Sequence, residues 1–436
     1  MIGTEPEAQP TADEVADEVA NWIARHWDTG LTVAEWWDRL ATAGYAAPML
    51  PRQWGGRGWT RDLANVVSAT LAHHGVLGPP AGIGLMLAAP TIVAHGSDDQ
   101  KARFVPPILN GQHGWCQLFS EPGAGSDLAG LQTRAVRDGD QWRVHGQKVW
   151  TSGGHHADWG MLLARTDPHA PKHRGITWFA FPMRQPGVEV RPLREMTGRA
   201  LFNEVFIDDA VVAADCVIGT VNDGWAVANT TLRFERAGIG GGGGEAFSAA
   251  TPGSVAGHLD QPVTAFLHRS GPTGAARVGQ GTVRRLARLA RELGRADDPV
   301  VRQALMRLWI IVEVNRLSLL RARTGGRGGE GNIAKLVMSD TVRLAREVGN
   351  LVIGAHGMLT GSDTPGGGSV QELTVFSPAP SIYGGTDQVQ RNILGERILG
   401  LPKEPGPARD TPFSELLGNA GPQHRGSSNG HGQRRA

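Results

Sequence analysis

Phe119-Ser-Glu-Pro-Gly-Ala-Gly-Ser-Asp127 governs how the whole chain is read. Gly123, Gly125 and Ser126 sit in a turn that Pro122 stiffens, and two acids, Glu121 and Asp127, bracket it. Such a loop exposes backbone N–H groups and lets a ligand lie close against the main chain. An ordinary surface turn would carry the same residues, because Gly and Pro punctuate turns generally. It is not a phosphate P-loop: no Lys-Ser or Lys-Thr follows the glycines. The flanking sequence has to choose.

A chain of 436 residues is too long for one simple core and implies two or three substructures. Its 40% hydrophobic and 19% charged residues predict a soluble globular protein. A formal net charge of +1 leaves no electrostatic footprint for nucleic acid or a membrane surface. Two cysteines without metal-ligand spacing, Cys116 and Cys216, argue against a zinc site or a disulfide framework and fit a reducing cytoplasm. The first 30 residues are acidic and amphipathic, so no signal peptide is expected. No apolar run approaches the roughly 18 residues that a membrane span requires.

Outward from the loop, the periodicity changes twice. Residues 11–112 are patterned as helices: Val15, Val19, Trp22 and Ile23 recur at helical spacing, as do Trp36 and Leu40, and 93–105 reads as mostly helical. Loops are expected at 51–58 and at Pro79-Pro80. From Trp115 the period becomes that of strands, over 132–136, 141–150, 160–165, 176–183, 188–193 and 203–207, with a hairpin at Asp138-Gly139. Strands this close, with no helices between them, predict a compact antiparallel β-domain over 113–215. After Gly224-Trp225 helical spacing returns and runs to about 400, as in Val283, Leu286, Leu289 and Leu293. A glycine run (Gly238, then 240–244) and a Gly/Pro/Ser-rich stretch over 247–280 interrupt it, the latter reading as a long loop. The expected organisation is thus α+β: an N-terminal helical domain (1–112), a middle antiparallel, barrel-like β-domain (113–215) and a C-terminal helical bundle (216–402) with an insertion at 238–280. The polar tail, 403–436, is expected to be disordered.

With this order in place, three stretches together resemble the acyl-CoA dehydrogenase family: the opening loop, Gly146-Gln-Lys-Val-Trp-Thr-Ser-Gly-Gly154, and Ile382-Tyr-Gly-Gly-Thr-Asp-Gln-Val-Gln-Arg-Asn392. Weaker matches lie at 45–58 and 94–101, and the likeness covers roughly 15–245 and 330–402. The resemblance implies FAD, held non-covalently between the β-domain and the C-terminal helices. It implies cofactor contacts for Gln117, Phe119, Ser120, Gly125 and Ser126. Trp150 would cover one flavin face, and Thr151 and Ser152 would hydrogen-bond the ring, although a tryptophan at a strand end also suits a core. A planar isoalloxazine needs such an apolar wall and such donors. Gly385, Thr386 and Gln388 carry over as FAD contacts, and Ser126 and Tyr383 as substrate contacts. The spacing from Asp387 to Gln390 also reads as a capping box at a helix start.

Taking a proton from the α-carbon of a thioester requires a carboxylate in a dry site. Many family members place that glutamate directly after the tyrosine, where this chain has Gly384. A second family solution puts it on the first long helix after the β-domain, and here Phe234-Glu235-Arg236 stands there. Glu235 is therefore the expected base, with Arg236 a substrate- or loop-positioning charge. Glu121 and Asp127 read as turn and backbone anchors. The family's Arg-x-x-Phe-Gly segment is not visible, and its Gln-x-x-Gly-Gly-x-Gly element is reduced to Ile353-Gly-Ala-His-Gly357. These departures leave three readings: an active desaturase of acyl-CoA passing electrons to an electron-transfer flavoprotein, a half-site subunit of a hetero-oligomer, or a flavin-dependent oxygenase. A homo- or hetero-oligomer is expected, with no metal.

Overall fold

Thr11 and Glu14 open the first helix with a reciprocal capping box, as do Thr32 with Glu35 and Ser97 with Gln100 further on. The computed structural model describes residues 9–240, 250–267, 279–323, 328–361, 363–403 and 405–416. Five N-terminal helices result: α1 (Ala12–His26), α2 (Val33–Thr42), α3 (Arg61–His73), α4 (Ala89–His95) and α5 (Asp98–Leu109). The apolar stripes Val15, Val19, Trp22, Ile23 and Val33, Trp36, Trp37, Leu40 are buried at the spacing of a helix face. The indoles of Trp36 and Trp37 donate to Leu77 O at 2.6 Å and Gly78 O at 2.8 Å, tying the chain after α3 onto α2. The stretch 93–105 is mostly helical as expected, divided between α4 and α5 at Gly96, where Ser97 caps a fresh start. A π-helical turn, Gly84–Ala88, leads into α4.

Among the described residues eight strands form one sheet: β1 (Trp115–Leu118), β2 (Arg134–Asp138), β3 (Gln141–Ser152), β4 (Trp159–Arg165), β5 (Ile176–Pro182), β6 (Val188–Leu193), β7 (Phe202–Ala213) and β8 (Val217–Ile218). Their order is β6-β7-β3-β2-β4-β5-β8, with β1 also on β4. Most pairs are antiparallel as expected, but β1 and β2 run parallel to β4, so the sheet is mixed. The register gives the reason. β1 pairs 115–118 with 159–162, the chain then leaves the sheet, and it returns with Arg134 opposite Arg165. The opening loop is therefore an excursion from a single line along β4, and a long excursion lets the chain resume in the same direction. The strand expected over 203–207 continues to Ala213: Asp209, with φ 58°, absorbs an irregularity opposite His145, and pairing resumes at Ala210.

The C-terminal helices are α6 (Gly224–Gly240), α7 (Gln280–Glu292), α8 (Pro299–Arg323), α9 (Glu330–Ile353), α10 (Ser369–Phe376) and α11 (Asp387–Ile393). Helices α7 to α10 share a core of Leu286, Leu308, Val342, Val348 and Leu373. Helix α6 differs: its Val227 and Ala228 join the core of the N-terminal helices and the sheet.

Two stretches read as a loop and as a disordered tail carry packed segments. Of the stretch 247–280, the described part 250–267 is a loop with one short helical turn, and it is packed: Val33 N donates to Gln261 O, Ala34 N to Leu259 O, and Val263 and Phe266 are buried. The tail is not disordered from 403, since Phe413 is buried and Pro412 bridges to Pro171. One large ring suffices to anchor a polar segment. Residues 241–249, 268–278 and 417–436, with most of the glycine run, lie outside the described residues.

Candidate active site

Glu121 closes the neck of the opening loop. Its carboxylate accepts Gln132 N at 2.7 Å and Thr133 N at 2.9 Å, and it pairs with Lys148 Nζ at 2.8 Å. Lys148 is fully buried and also donates to Phe119 O at 3.0 Å. Burial pushes the Glu121 carboxyl up, but the Lys148 charge, its hydrogen bond and those from 132–133 outweigh that and hold it below the usual range. Farther out, Asp127 pairs with Lys172. Both acids are thus anchors.

Held this way, Phe119 is buried, Ser120 O accepts Val149 N at 2.9 Å, and Gly125 and Ser126 are exposed at the tip. A Cβ added at Gly125 would meet nothing within 4 Å, so close approach of a ligand is sterically open there. On the adjoining β3, a Cβ at Gly146 would meet Thr133 Oγ1 at 2.3 Å, which allows the return limb to pack directly on this strand. A register shift between Lys148 and Thr151 turns Trp150 outward at φ 61°, with the indole 56% exposed against the edge of Phe202. Trp150 is therefore not a core residue. Thr151 is buried with Oγ1 lacking a hydrogen-bond partner among the described residues, and Ser152 is half-buried beside it. An outward aromatic next to an orphaned hydroxyl fits a flat, hydrogen-bonding cofactor such as FAD.

Glu235 comes to this place on α6. Gln117 on β1 directs its Nε2 toward the carboxylate at 3.4 Å. Burial raises the Glu235 pKa, with that hydrogen bond and the Arg236 charge opposing. Arg236 is half-buried, its own pKa lowered by burial and raised by Glu235. Upstream, Thr231 meets Thr91 of α4 at 3.1 Å and Thr230 meets His95 at 2.8 Å, fixing α6 against the N-terminal helices. The π-helical turn Gly84–Ala88, which the sequence reading missed, packs on both α6 and β1.

A second group gathers around α11. Gly384 and Gly385 both have left-handed backbone, φ 62° and 81°, and Thr386 caps α11 by accepting Val389 N at 3.2 Å. The capping-box reading of Asp387 is corrected: its carboxylate points inward to Lys335 Nζ (2.9 Å), Ser339 Oγ (2.7 Å) and Arg343 Nη1 (3.1 Å). Burial would raise its pKa, but these partners hold it at about 2. Gln390 Nε2 donates to Gly384 O at 2.8 Å, so the glycine turn is fixed from within. Tyr383 is half-buried, its pKa pushed to about 12 by burial, and Gln388 is exposed. Among the described residues no hydrogen bond, ion pair or ring contact joins this group to Glu235 or Trp150.

Besides that turn, the sequence reading missed Lys148 and Arg165. Lys148 had a signal, since alternate residues place it with the buried Trp142 and Val144. Arg165 is 4% exposed and spans the return limb of the loop, donating to Ala129 O at 2.6 Å and Lys172 O at 2.9 Å. Neither free thiol reaches the surface, and no group of three or more His, Cys, Asp or Glu among the described residues could hold a metal.

The acyl-CoA dehydrogenase N-terminal, middle and C-terminal domain profiles match residues 5–112, 116–210 and 263–399. The acyl-CoA dehydrogenase IpdE1 of Mycobacterium tuberculosis is 37% identical over 379 residues, covering 85% of this chain and 88% of that protein. The protein of the same name in Mycolicibacterium smegmatis is 35% identical over 381 residues, covering 85% and 88%. Among solved structures, the Tcur3481-Tcur3483 steroid ACAD superposes with a TM-score of 0.68 at 25% identity, covering 92% of this chain and 99% of that one. The ChsE4-ChsE5 complex from Mycobacterium tuberculosis gives 0.67 at 26%, covering 92% and 100%.

Proposed function

The chain belongs to the acyl-CoA dehydrogenase family, and from that premise we propose that it desaturates an acyl-CoA thioester between its α- and β-carbons, with Glu235 as the base. The observation that carries this reading is the placement of Glu235. It is a carboxylate in a desolvated position against Gln117, at the strand that leads into the opening loop, while Gly384 provides no carboxylate at the other family position. A raised pKa makes the ionised form a stronger base and brings it closer to the operating pH.

FAD, when bound, supplies the acceptor for the hydride that leaves the β-carbon. Trp150 would wall one face of the ring, and Thr151 and Ser152 would offer it hydroxyls. Gln117, Phe119, Ser120, Gly125 and Ser126 line the side shared with the thioester. Gly385 and Thr386 in the turn before α11 and Gln388 on it would hold the cofactor, Tyr383 would border the substrate, and Arg236 would steady the acyl-CoA or the loop beside it. The electrons pass on to an electron-transfer flavoprotein. The two buried free thiols accord with a cytoplasmic setting. Among the described residues no helix is long and apolar enough to cross a membrane.

A second reading, that the chain works as one subunit of an oligomer, is favoured by α8. One face of α8 packs Val301, Leu308 and Val312 into the core, and another exposes Met306, Trp309, Ile310, Val314, Leu317 and Leu320, each between 42% and 55% accessible. A helix apolar on two sides marks a surface that another protein covers. The occupant is a further acyl-CoA dehydrogenase subunit, a role the two-component neighbours make natural. An absorption spectrum tests both readings. The purified protein should be yellow and should bleach with one member of a panel of straight, branched and steroid side-chain acyl-CoAs. A flavin-loaded protein that bleaches with none of them contradicts desaturation. Flavin uptake only on co-expression with a partner subunit would support the second reading.

A further inference from the structure

Beyond residue 399, where the C-terminal domain match ends, the chain folds back onto the loop between β4 and β5. Phe413 N donates to Ala170 O at 3.0 Å and Ser414 N to Pro168 O at 3.0 Å, and Pro412 bridges Pro171. The Phe413 ring lies over the Arg165 guanidinium at 3.8 Å. Among the described residues no carboxylate pairs directly with that guanidinium, and Glu121 and Asp167 act on it only through their charge; carbonyls of Ala129, Leu131 and Lys172 surround it. A buried cation without an ion pair depends on such carbonyls and on an aromatic face that keeps water away. Lys172, whose carbonyl Arg165 holds, also pairs with Asp127 at the end of the opening loop.

These contacts form one chain: Phe413 covers Arg165, Arg165 holds the return limb at 129–131 and the turn at 172, and that turn holds Asp127. We propose that the segment 412–414 is a strap that positions the opening loop through Arg165, which makes Phe413 and Arg165 positioning residues for thioester binding. The proposal rests on the reading of that loop as one wall of the flavin–thioester slot. The strap lies beyond the part of the chain that the C-terminal domain profile matches. Arg165 is the more deeply structural of the two, because it replaces backbone donors on three carbonyls. Phe413 can be changed without leaving any of those carbonyls unpaired.

The test uses the full chain with Phe413→Ala and Phe413→Trp. Hydrogen exchange over 128–131 should become about tenfold faster in Phe413→Ala, since losing the strap opens this limb locally. The KM for the acyl-CoA should rise by about as much while kcat stays within about twofold, because the loop orients substrate and does no proton chemistry. Phe413→Trp, which keeps an aromatic face over Arg165, should restore both. Unchanged exchange over 128–131 overturns the proposal. So does faster exchange with an unaltered KM in an enzyme that turns over. The exchange readout needs no turnover, so a wild type that fails to react with any acyl-CoA defeats the functional reading and leaves the strap tested.

Discussion

Two glutamates lie next to β1, Glu121 buried and Glu235 half-buried, and their surroundings shift their pKa values in opposite directions. Glu121, at the neck of the loop, receives two backbone N–H groups and the Lys148 ammonium. Glu235, at the far end of α6, receives one long hydrogen bond from Gln117. Burial raises both carboxyls; only at Glu121 do the partners outweigh it. Desolvation alone therefore does not make a base. What separates a structural carboxylate from a reactive one is whether its charged form is already satisfied.

The largest effect expected is at Glu235. Glu235→Gln keeps the shape and removes the proton acceptor, so kcat should fall by about 10²–10⁴-fold while the protein stays folded and yellow. Steady-state assay with an artificial electron acceptor reads this. Lys148→Met should act on stability instead, leaving Glu121 buried without its cation at a cost of about 3–5 kcal/mol in a urea titration. The double variant Glu121→Gln, Lys148→Met should recover part of that loss, because both charges are gone.

The two environments also carry opposite pH signs. Glu121 and Asp387 have depressed pKa values, so their stabilisation is complete above the usual 4.5 and 3.8 and is lost as pH falls through the folded values, about 2 for Asp387. Glu235 is raised, so its contribution is complete below 4.5 and is lost as pH rises through its folded value. Urea midpoints measured against pH should therefore fall in acid for wild type, and fall less steeply for the double variant. The smallest effect belongs to Gln117→Leu. Removing the donor that lowers the Glu235 pKa should move the ionisation in the kcat/KM profile upward.

Much of this comparison could be read from the sequence. The anchoring role of Glu121 and Asp127 followed from their bracketing a glycine turn, and the family motifs drew attention to Glu235 once Gly384 was seen. Asp387 was misread because Thr386 and Asp387 are both good capping residues, and only the positions of Lys335, Ser339 and Arg343 decide which of them turns inward. The parallel placement of β1 and β2 was hidden for a similar reason: register along β4 is a property of distant residues, whereas turn and alternation signals are local. Phe413 was lost within a polar tail, since composition averages away a single ring that finds a buried cation. The anchor in α6 was visible as helical spacing, but its pairing of Thr231 with Thr91 was not.

The central claim is that the ionisation controlling proton abstraction belongs to Glu235. Stopped-flow measurement of flavin reduction by a bleaching acyl-CoA, followed against pH in wild type and in Glu235→Gln, tests it most directly. In wild type the rate should rise with pH through one ionisation above 4.5, and in Glu235→Gln it should be slow and flat. A Glu235→Gln protein that keeps the same rate and the same ionisation would contradict the account.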